Sequence, residues 1–249
     1  MKEIAHYIPI ITFFFSIYFA FGLWKHYRRK PEAKYLMWWL IGIITYGVGT
    51  FTESYNVLIG WDIINYKAWY ISGALLGGAP LAQGTVYLLM KKKTANRLTV
   101  ALVLFIFIAS IAVAFSPVKP EAQEVGRLTG SMLSWQWSRY FSPFINIYAL
   151  IFLVGGAAYS AFKYWKMASE RMANTRFLGN VYIAIGALLP GIGGSFTRFG
   201  YEEVLFVTEL MGILLIYAGY RIMQSDKIVS IHKFQKQEAL SNATLGSVK

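Results

Sequence analysis

Residues 98–116 read LTVALVLFIFIASIAVAFS, nineteen positions with three hydroxyls and no charge or amide. A bilayer core is about 30 Å thick, and about 20 apolar residues at 1.5 Å each cross it as a helix. This stretch has no polar face to turn towards water. It is bounded by KKKTANR (91–97) on one side and by SPVKPE (116–121) on the other. Its simplest reading is a helix that crosses a membrane and faces lipid.

Working outward, six further apolar stretches of similar length cover residues 6–24, 36–57, 69–90, 141–162, 178–197 and 204–222. The expected fold is therefore all-α: a polytopic membrane protein built as a seven-transmembrane-helix bundle over residues 1–222, followed by a polar tail, 223–249. Hydrophobic residues make up 56% of the 249-residue chain and the mean hydropathy is +0.45, too apolar for a soluble domain of this size. A surface-lying segment with Trp135 and Trp137 is expected between the fourth and fifth spans.

The net charge of +12 is not spread evenly. With seven crossings, residues 25–35, 91–97, 163–176 and 221–249 share one side and hold 18 of the 24 Lys and Arg. That is the positive-inside pattern, which places the N-terminus outside and the C-terminus in the cytoplasm of a plasma membrane. Anionic lipid headgroups at the inner face are sufficient partners for this charge, and the cytoplasmic loops leave room for a protein partner. Nucleic acid is not expected.

Glu53 and Glu209 stand out because each falls inside a span, several residues from its outer end. Carboxyls at such depth are costly and face a bundle interior or a watery cavity. Tyr46, Thr50, Glu53 and Asn56 recur at helical spacing and form one polar stripe. These residues, with Arg198, Gln83 and Asn146, are the candidate ligand- or proton-binding set. Arg198 suits a carboxylate or phosphate, whether from a side chain or from a substrate. The alternatives are structural: the carboxyls lock helices together, Arg198 is an interface arginine, and the amides are interhelical glue.

Spans three and six share a further feature. GALLGGAPLAQG (73–84) and GALLPGIGGSFT (186–197) each place a proline inside the membrane shortly after GALL. Gly77, Gly78, Pro80, Pro190, Gly191 and Gly194 are the expected helix-break or packing positions. Corresponding breaks in two halves of a transporter point to a midplane site. Tight helix packing explains the glycines equally well.

Several functions lack their residues. The topology is similar to that of rhodopsins in architecture alone, because retinal needs a lysine within the last helix and no lysine lies in any span. The histidines His6, His26 and His232 sit at span edges or in the tail, so no haem pair is expected. HExxH and GxSxG motifs are absent, and Ser195 has no histidine partner. Cysteine is absent too. No enzyme activity, cofactor or metal is expected. What remains is a carrier or channel for a small solute or ion, proton-linked through the buried carboxyls. The alternatives are a heptahelical small-ligand sensor without its own output domain, and a non-catalytic subunit of a membrane complex.

Overall fold

The computed structural model describes residues 5–122, 126–167 and 171–246, with side chains left out at 171–173, 198 and 225–246. Among the described residues the chain is helical, and Val118 and Leu133 form an isolated bridge outside any strand. The helices are α1 (Ile8–Arg29), α2 (Lys34–Leu58), α3 (Ile63–Trp69), α4 (Ala79–Leu89), α5 (Lys92–Phe115), α6 (Phe141–Ala149), α7 (Gly156–Lys166), α8 (Arg171–Phe196) and α9 (Glu202–Gly246). Among the described residues six segments are long and apolar enough to cross a membrane: Ile8–Arg29, Lys34–Leu58, Lys92–Phe115, Gln136–Lys166, Asn174–Phe196 and Glu202–Gln224.

The helices outrun the apolar stretches chiefly at their basic ends. α1 continues through Lys25, Arg28 and Arg29, and α5 already begins at Lys92. Lys and Arg are good helix formers whose long stems lie along apolar surface while the charge stays in water, so nothing stops the helix where hydropathy falls. The same reasoning applies to the polar tail. Between Gly219 and Gly246 there is neither glycine nor proline, and α9 runs on as one helix through Gly246.

The expected third span, 69–90, is not a single helix. It starts earlier, at Ile63, where the Asp62 carboxylate caps the backbone N–H groups of Ile64 and Asn65, both at 2.9 Å. After Trp69 a π-helical turn covers Tyr70–Leu75, and the chain then breaks before α4. Gly77 and Gly78 lie in the break, and Pro80 falls in the first turn of α4, where a missing N–H costs nothing. A Cβ on Gly77 would come within 2.5 Å of the Gly73 carbonyl oxygen, so the turn needs a glycine there. Broken as it is, the segment lies antiparallel along α2 from Trp39 to Thr52. Asn65 meets Thr52, Gly73 meets Gly49, Leu81 meets Gly42 and Gly84 meets Trp39.

Span six behaves differently from its counterpart. α8 passes through Pro190 uninterrupted. In 73–84 the glycine pair precedes the proline and lets the chain turn, whereas in 186–197 the proline comes first. Proline at 190 deprives the Gly186 carbonyl of its helical partner. That oxygen points instead at Gly212 of α9, and the proline ring packs on the same glycine. The tight contacts of this pair fall on Gly179 against Gly219, Gly186 against Gly212 and Gly193 against Leu205, with one heptad between steps. Gly191 and Gly194 have open space where a side chain would go, so they take no part in this close packing.

Two apolar cores result. The first joins α1, α2, α4, α8 and α9 through Phe19, Trp39, Tyr46, Ile183, Ile213 and Tyr220. The second gathers Tyr66, Tyr70, Leu102, Val113 and Ile145. Between α5 and α6, residues 126–135 pack against the bundle, with Leu128 and Leu133 buried in the second core. Tyr66 donates to the Thr129 carbonyl at 2.9 Å there. Outside, α5 exposes Val100, Leu104, Phe107, Ile108 and Ile111, a surface that lipid can cover and water cannot cover cheaply.

Candidate functional site

Glu53 and Glu209 come from helices far apart in sequence, yet their buried side chains lie close enough to act on each other. The antiparallel packing of α2 on α9 brings them to one level, where the Tyr46 hydroxyl donates to the main-chain carbonyl of Glu209 at 2.8 Å. Glu53 is only 3% exposed. Its Oε1 accepts from the indole N–H of Trp69 at 3.1 Å. The Oε2 atoms of both Glu53 and Glu209 are enclosed and receive no N–H or O–H from any other residue. Among the described residues neither carboxyl meets a Lys or Arg side chain. Two ionised carboxyls offer acceptors only, so a direct hydrogen bond between them would need one proton.

Beside this pair, at the bundle end that carries the N-terminus, is a cavity of about 630 Å³. α2 contributes Glu53, Asn56 and Val57, and the broken segment contributes Trp69. The opposite wall is His6, Tyr7 and the start of α9 at Glu202, Leu205 and Phe206. Residues 126–128 and Thr197 complete it. The 126–128 stretch is tied down twice. The Asn56 amide donates to the Gly126 carbonyl at 3.2 Å, and Arg127 pairs with Glu202 at 3.9 Å.

The expected site residues thus divide. Glu53 and Asn56 wall the cavity, while Glu209 and Tyr46 meet Glu53 behind it. Thr50 turns its hydroxyl back onto the carbonyls of Tyr46 and Gly47 in its own helix. Gln83 is fully buried elsewhere: it donates to Thr99 Oγ1 at 2.8 Å and to the Ala95 carbonyl, and accepts from the Tyr148 hydroxyl. Asn146 and Ser142 both donate to the Ala74 carbonyl next to the helix break, at 3.4 and 3.1 Å. They supply partners where irregular backbone would otherwise go unsatisfied. The side chain of Arg198 lies outside the described residues.

Trp69, Glu202, His6 and Arg127 are additions that the sequence reading did not make. One signal was available. Glu202 and Glu209 are seven residues apart, and thus on one face of a helix. Trp69 was legible only as the start of a span, because the six helical residues before it contain Lys67 and Asn65. The chain matches no protein-family model, no curated protein and no solved structure.

Proposed function

We propose that the protein is a carrier for a small solute, embedded in the plasma membrane and coupled to a proton held between Glu53 and Glu209. In this reading the chain crosses seven times, with Ile63–Leu89 as a broken third crossing, the N-terminus outside and the C-terminus in the cytoplasm. The antiparallel run of Ile63–Leu89 along α2, with contacts from Trp39 to Thr52, supports the seventh crossing, since α2 is itself of crossing length. Charge supports it too: without that crossing, residues 25–35 and 91–97 would lie on opposite sides and the basic sorting would be lost.

The carrier reading rests on one observation: two carboxyls from distant helices meet inside the bundle with no Lys or Arg side chain beside them among the described residues, one of them in the wall of a cavity. A purely structural pair has no need of a cavity. Protein reconstituted in vesicles is expected to move protons in response to solute added at the cavity side, and Glu53→Gln and Glu209→Gln to abolish that movement. Wild-type vesicles that pass neither proton nor labelled solute, with or without a pH gradient, would remove the reading.

One feature favours a sensor instead. α9 forms part of the cavity wall and continues without interruption to Gly246, well beyond its apolar part. A sensor would bind ligand without flux and pass the change to a protein docked on the basic face.

A further inference from the structure

Among the described residues, no Lys or Arg side chain balances the charge of one carboxyl in the cavity wall, Glu53. Of the charged residues in its wall, Arg127 and Glu202 pair with each other. His6, also in the wall, acts on Glu202, so the remaining acidic side chain there is Glu53. The described groups that face Glu53 are Glu209 and Glu202 from α9, Tyr46 from its own helix, Trp69 from the broken segment, and Arg127 and His6 at the rim. None of these is a lysine.

Hydrogen-bonding capacity is equally one-sided. The Oε2 of Glu53 and the Oδ1 of Asn56 are acceptors without donors, one helical turn apart on α2. Asn56 Nδ2 is already engaged with Gly126, which fixes the direction of its oxygen. Trp69, Phe206 and Tyr7 add aromatic side chains to the same wall. Carboxylate, spare acceptors and aromatic faces together are what an ammonium group binds best.

We propose that the solute is a small organic cation bearing an ammonium group, and that it competes with the proton for Glu53; this rests on the carrier reading for its direction of movement. Glu53 holds the proton with Glu209 when the cavity is empty. When the ammonium docks, Glu53 swings its carboxylate to the cation and the proton passes to cavity water. One positive charge enters and one leaves, so the charge of the site is unchanged.

The probe is 2-phenylethylammonium, compared with 2-phenylethanol and 3-phenylpropionate as neutral and anionic analogues of similar shape. Titration calorimetry on purified full-length protein is expected to show saturable binding of the ammonium alone. Repetition in buffers of different ionisation enthalpy should show about one proton released per ligand. Glu53→Gln should weaken binding by about 30-fold or more and remove the proton release. Equal binding of the three compounds by wild-type protein would overturn the proposal, and this comparison needs no variant to fold. Flux of a neutral or anionic solute, without ammonium binding, would overturn it and leave the carrier reading standing. Ammonium binding with proton release but no flux would uphold it and remove the carrier reading.

Discussion

Gly186 and Gly212 sit so close that a methyl group on Gly186 would come within 2.6 Å of the Gly212 carbonyl oxygen. Backbone, not a flexible side chain, would have to yield. Gly186→Ala is therefore expected to destabilise the protein by about 1–3 kcal/mol, the usual range for overpacking. Gly191→Ala is the matched control. Its side-chain position is open, and alanine favours helix over glycine by about 0.5–1 kcal/mol. Thermal unfolding in detergent should show a clear loss for the first and none for the second.

The Ala74 carbonyl has two donors, Ser142 and Asn146, one turn apart on α6. Either alone can satisfy it, so Ser142→Ala and Asn146→Ala should each cost little. The double variant leaves the carbonyl without these partners and should cost about 1–3 kcal/mol, more than the two single losses together. A double-mutant cycle on thermal stability measures this directly, and simple additivity would contradict the shared role.

Gln83 is buried among Thr99, Ala95 and Tyr148, away from the cavity. Gln83→Leu strands the Tyr148 hydroxyl and should lower stability by about 1–3 kcal/mol. Ligand affinity in calorimetry should be unchanged. A large affinity loss in a stably folded variant would place Gln83 in the site after all.

Topology is open to a simple test because the chain has no cysteine. Glu121 and Lys93 are both exposed and lie at opposite ends of α5. A membrane-impermeant maleimide added to intact cells should label Glu121→Cys and spare Lys93→Cys until the membrane is opened. The reverse pattern would invert the orientation, and labelling of both would refute the crossing by α5.

Much of this architecture is legible from hydropathy, since a segment such as 98–116 has only one stable environment. Helix ends are less legible, because Arg28, Lys92 and Gln224 are as content in a helix as in a loop. The meeting of Glu53 with Glu209 follows from depth, as both lie a similar distance inside antiparallel helices. The role of Trp69 does not follow. Hydropathy places it at a membrane edge, and only the early start at Asp62 and the π-turn behind it bring its indole to Glu53. Gln83 and Asn146 show the converse: a polar residue in an apolar helix signals a partner, and composition does not say whether that partner is a ligand or another helix. The glycines near Pro190 attracted attention by proximity, while the working set, Gly179, Gly186 and Gly193, is marked only by its seven-residue spacing.

Residues Thr197–Tyr201 join α8 to α9 in a hairpin whose Gly200 adopts φ = +87°, a conformation other residues rarely accept. So short a tether holds the two helix ends together at the cavity mouth. Any rocking of α8 against α9 must then pivot there, as scissors do at their rivet, and its travel widens with distance towards the opposite end of the bundle.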